Sequence, residues 1–141
     1  EGSISEKIKE TVDNAIADSS MMDKLLGRAG ENVCEESRYI DVALGTIDLK
    51  HVVSGLTTIP LVGWSIGGDM VEFKQLITDY DSSLNPDDIL SNAIGGWAQG
   101  AHIRDSGLFL LGLGQPPRTE GDYVAEIILW LEPIGGLYER D

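Results

Sequence analysis

Apolar positions recur at helical spacing from the start of the chain. Ile4, Ile8, Val12, Ala15 and Ile16 fall on one face, with acids and lysines opposite, and predict an amphipathic helix over residues 3–18. Ser3 followed by Glu6 fits a capping box at its start. Residues 19–28 predict a second, short helix in which Met21, Met22, Leu25 and Leu26 are the apolar positions and the methionines serve as core filler. Residues 38–54 alternate in the manner of strands, with Gly45-Thr46 as a turn or bulge. Residues 57–62 form a β-branched run that Pro60 restricts to an edge or irregular strand.

Helical spacing returns at 69–80, carried by Met70, Phe73, Leu76, Ile77 and Tyr80. Asn85-Pro86-Asp87-Asp88 is a strong helix start: a favoured N-cap, proline at the first helical position, and two acids at the positive dipole end. The helix it opens carries Ile89, Leu90, Ala93, Ile94 and Trp97, and Gly95-Gly96 is expected to end or kink it. Residues 107–114 and 123–132 read as strands of a hairpin, with Leu108 to Leu111 and Ile127 to Leu131 as core and a solvated tail beyond. The predicted fold is therefore a single α+β domain, a mostly antiparallel sheet with amphipathic helices packed on it. Its parts are N-terminal helices in 3–28, a β-rich segment in 38–62, a helical pair in 69–98 and a C-terminal β-hairpin in 107–132.

Composition changes the picture through charge. The chain of 141 residues carries 24 Asp+Glu against 10 Lys+Arg, a formal net charge of −14. No basic cluster exists to displace counterions from phosphates, so nucleic acid is not an expected partner. The same field disfavours anionic membranes and suits a cationic partner. Residues 51–68, 89–103 and 106–117 are nearly uncharged, so the chain sorts apolar and acidic residues into blocks. Pro60, several hydroxyls and four glycines dilute the first block as a membrane span. The single cysteine, Cys34, precludes an internal disulfide, and its neighbours Glu35 and Glu36 disfavour a thiolate. The chain is expected to be soluble, and its start at Glu1 suits secretion after processing or a fragment.

One sharp chemical pattern is present. The run Leu61-Val62-Gly63-Trp64-Ser65-Ile66-Gly67-Gly68 resembles the nucleophile elbow of α/β-hydrolases. The resemblance implies Ser65 as nucleophile, with the Ile66 amide as half of an oxyanion hole. His102 is the only histidine after Ser65, so it would be the base, and its acid would come from Asp79, Asp81, Asp87 or Asp88. Sixty residues ahead of the motif are too few for the usual preceding strands. Asp79, Asp81 and Asp87 also place oxygen ligands in a loop in a way that suits Ca²⁺, though Leu84 and Leu90 stand where an EF-hand needs glycine and a bidentate glutamate. His51 and His102 sit in no zinc spacing, and the glycine clusters lack a phosphate-loop lysine, so no other cofactor is expected.

The pattern favours a non-enzymatic domain that acts by binding or self-assembly, towards a protein, a second copy or an apolar ligand. Trp64 and Trp97, in uncharged blocks beside glycines, are the expected contact residues. A serine hydrolase using Ser65 and His102 is the first alternative. A secreted membrane-active protein using 51–68 or 89–103 is the second.

Overall fold

The computed structural model describes residues 3–65 and 86–140, with side chains for 3–57 and 87–140. Helix α1 spans Ile4–Ala17, and Ser3 Oγ accepts the Glu6 amide at 3.2 Å. Its apolar stripe is realised: Ile8, Val12 and Ala15 are buried, and Ile4 and Ile16 pack on the core edge. Helix α2 is only Met21–Leu25, closed by a capping box between Ser20 and Asp23. Met21, Met22, Leu25 and Leu26 are exposed rather than core. A helix of five residues cannot turn all four inward.

Strands β1, Tyr39–Val42, and β2, Gly45–Asp48, pair antiparallel with Ile40 opposite Ile47 and Val42 opposite Gly45. The turn falls at Ala43-Leu44, so Gly45 begins the second strand. Alternation places Ile40, Val42 and Ile47 in the core. The C-terminal tail is not simply solvated. Tyr138 and Tyr39 exchange backbone bonds of 2.9 Å, and Ile134 N–H donates to the Asp41 carbonyl at 2.8 Å, so the tail lines the edge of β1.

Helix α3, Leu49–Ser65, replaces the strand expected at 57–62. Its start is set by Asp48, whose Oδ1 accepts the Lys50 amide at 3.0 Å. Val52, Val53 and Leu56 then recur at helical spacing and are all buried. Pro60 lies inside this helix, where it removes one backbone donor. The helix expected at 69–80 lies outside the described residues.

Helix α4 begins at Pro86, as its start signals indicate, and runs unbroken to Leu110. Gly95 does not end it. A Cβ there would stand 2.8 Å from the Val52 carbonyl oxygen and 3.4 Å from the Leu56 nitrogen. The glycine lets α4 cross α3 at close range.

The C-terminal hairpin is overturned. Residues 107–110 end α4, and Glu120–Trp130 form helix α5. The missed signal is Thr119-Glu120-Gly121-Asp122: Thr119 Oγ1 accepts the Asp122 amide, and Asp122 accepts the Thr119 amide, each at 3.2 Å. The continuous apolar run after Glu126 wraps around a helix, so Ile128 is buried while Leu129 and Trp130 face out. The architecture is α+β, with a minimal sheet capping one end of the packed helices α1, α3, α4 and α5. Among the described residues no helix is long and apolar enough to cross a membrane.

Candidate functional site

Two helices build an apolar groove. On α4, Trp97, Ala101, Arg104 and Leu108 follow i, i+4, i+7, i+11 spacing and share one face. On α5, Tyr123, Ile127 and Trp130 share another. Together with Arg118, Glu126 and Leu131, the Trp97 and Trp130 side line a groove of about 380 Å³. A smaller recess of about 260 Å³, bounded by Leu108, Gly114 and Pro116, continues it across the shared Arg118 and Tyr123. Trp97 is 59% exposed, Trp130 82% and Leu110 83%. Leu111, expected in the core, also faces solvent, as does Leu113.

The groove floor is rigidly wired. Tyr123 is buried, and its hydroxyl donates to Asp105 Oδ2 at 2.5 Å. Arg118 stacks 4.8 Å from the Tyr123 ring centre and pairs with Glu126, which holds its guanidinium firmly charged. Arg104 pairs with Asp105 at 3.1 Å. The Tyr123 hydroxyl and then Arg104 hold the Asp105 carboxyl below its usual range, while burial and then Asp105 push the Tyr123 hydroxyl up.

A carboxyl depressed in the folded state stabilises it fully above the ordinary aspartate value of 3.8 and loses that contribution as pH falls through the depressed value. Asp41, lowered by the Tyr138 and Thr46 hydroxyls, adds in the same direction. Stability is therefore expected to decline with acidification below that value. Urea unfolding across the acid range should show a shallower decline in Tyr123→Phe. An equal or steeper decline in the variant would contradict the assignment.

A second, polar cleft of about 180 Å³ lies at the sheet end, lined by Arg38, Tyr39, Thr46, Asp48, His51, Asp87, Asp88 and Arg140. Asp48 is buried and receives Arg38 in a bidentate pair, Nε to Oδ1 at 3.0 Å and Nη2 to Oδ2 at 2.9 Å. The Asp48 amide donates to Ser91 Oγ at 2.9 Å, tying β2 to α4. Asp87 Oδ1 accepts the Thr46 amide at 3.0 Å. His51 Nε2 lies 3.7 Å from Asp48 Oδ2 and 3.3 Å from Asp88 Oδ1.

Of the residues singled out from the sequence, Trp97 stands on the groove. The side chains of Trp64 and Ser65, and all of Asp79 and Asp81, lie outside the described residues. The backbone entering Ser65 is helix α3, whereas an elbow requires a strand. Asp87 serves the β2–α4 junction. His102 Nε2 lies 3.8 Å from Glu120 Oε1, and its ring meets Tyr123 edge-on at 5.9 Å. Trp130 and Arg118 fall in the segment expected as a hairpin, where the capping box at Thr119 is the signal for a helix instead. Arg104 lies beyond Gly95-Gly96, where the preceding helix was expected to end or kink. No family model, curated protein or solved structure matches this chain.

Proposed function

We propose that this chain is a protein-interaction domain whose α4–α5 groove seats an apolar, basic helical segment of a partner. The observation that carries this is the exposure of Trp97 and Trp130 along one groove, continued by Leu108 in the adjoining recess. Contiguous exposed apolar surface of this kind is characteristic of interaction sites. A covered aromatic side chain buries about 150–250 Å². At about 25 cal/mol per Å², and scaled by their exposure, the two indoles offer roughly 7 kcal/mol gross. Association itself costs about 4–15 kcal/mol, so the other apolar residues lining the groove must contribute as well, and the affinity should be modest.

Charge selects the partner. Two copies at −14 each repel, whereas a basic segment is drawn in by the same field. The arginines of the groove do not oppose this, because Asp105 and Glu126 neutralise them. An amphipathic helix meets such a groove through anchors at i, i+3, i+4 and i+7.

The test is calorimetric titration with a short Leu/Lys amphipathic helical peptide and with its scrambled counterpart. The ordered peptide should bind in the micromolar range and weaken with added salt. Trp130→Ala should weaken it by roughly tenfold or more, as expected for an aromatic anchor. Equal binding of the two peptides, or no effect of Trp97→Ala and Trp130→Ala, would overturn the proposal. A concentration-dependent dimer abolished by Trp130→Ala would also overturn it, by placing a second copy in the groove.

A further inference from the structure

We propose that Asp48, His51 and Asp88 form a binding site for a first-row divalent transition metal, with zinc the best fit. The three residues come from different elements: the end of β2, the first turn of α3 and the first turn of α4. One ligand atom from each lies within 4.8 Å of the other two. Ligands about 2.0–2.1 Å from a tetrahedral zinc stand roughly 3.3 Å apart. His51 Nε2 is 3.3 Å from Asp88 Oδ1 and 3.7 Å from Asp48 Oδ2, so only small side-chain shifts are needed.

The site is also braced. Among the described residues, Arg38 Nε and the Lys50 amide bond Asp48 Oδ1, and Arg38 Nη2 bonds Oδ2. A carboxylate oxygen accepts in two directions, so Oδ2 keeps room for a metal on the atom that faces His51. Outer partners of this kind fix the orientation of a ligating carboxylate. His51 is partly exposed at the open cleft, which leaves space for water to complete the coordination. Asp48, Asp87 and Asp88 outnumber Arg38 and Arg140 in the cleft, so the local charge favours a cation. The imidazole decides the class of metal, because nitrogen ligands suit zinc and its neighbours rather than Ca²⁺ or Mg²⁺.

The test is calorimetric titration of the full chain with Zn²⁺, together with the visible absorption of Co²⁺ as a reporter of coordination. One equivalent should bind. Both His51→Ala and the near-isosteric Asp88→Asn should weaken it by roughly tenfold or more. His102→Ala should leave it unchanged, and Ca²⁺ should not compete. Absence of binding at millimolar Zn²⁺, or equal binding in His51→Ala, would overturn the site. Neither readout depends on the α4–α5 groove.

Discussion

Ile128→Ala is expected to lower the free energy of unfolding by about 2–5 kcal/mol, whereas Trp130→Ala, two residues on, should change it by only about 0.5 kcal/mol. Ile128 is fully buried on the inner face of α5, where the helix packs on α1 and α4. Removing its side chain forfeits apolar burial and leaves a cavity. The surroundings resist collapse. Gly121 brings α5 so close to α1 that a Cβ there would stand 2.5 Å from the Lys9 carbonyl oxygen. Asp13 then clamps the pair, accepting from the Gly121 amide and the Thr119 hydroxyl at 2.9 Å each. Trp130 lies outside this clamp, mostly in solvent. Urea unfolding of the two variants separates the roles. A loss below about 1 kcal/mol for Ile128→Ala would contradict the packing, because buried isoleucine truncations cost more. A large loss for Trp130→Ala would make that indole structural and remove it from the groove argument.

Asp48→Ala is expected to cost about 3 kcal/mol, by the removal of one partner from a buried ion pair. The carboxylate takes both nitrogens of the Arg38 fork and the Lys50 amide at the start of α3. Its loss leaves a guanidinium that the carboxylate now holds strongly charged without that partner. The Arg38 side chain is 25% exposed, so water recovers part of the cost and the value sits at the low end for buried pairs. Asp48→Asn keeps the shape and one acceptor oxygen and should fall between wild type and alanine. Thermal and urea unfolding measure both. Stability equal to wild type in Asp48→Ala would show that the pair contributes nothing net.

Legibility in the sequence followed the locality of the cause. Helix α1 and the start of α4 were readable because a cap and a periodic stripe coincide within a few residues. Strands β1 and β2 were readable through alternation. Helix α5 was hidden because Pro116, Pro117 and Gly121 read as turn residues. Gly121 is instead a helix residue, small because α1 passes beside it. Helix α3 was hidden because Pro60 and the β-branched residues argue against a helix locally, while burial of Val52, Val53 and Leu56 overrides them. Apolarity does not mean burial at Leu110 and Leu111, which are exposed at the end of α4. Trp97 was legible as an aromatic beside glycines. Trp130 was not, since a doubly buried strand would have placed it inside. Asp48, His51 and Asp88 have no motif spacing, because tertiary packing alone brings α4 to the end of β2.

The interaction groove is tested most directly by nuclear magnetic resonance of the full chain titrated with the Leu/Lys amphipathic peptide, read at the tryptophan indole N–H signals. The indoles of Trp97 and Trp130 should shift together and saturate with one peptide, along with backbone amides of α4 and α5 that line the groove. Shifts scattered over the acidic surface, with both indoles unmoved, would contradict the groove as the binding site.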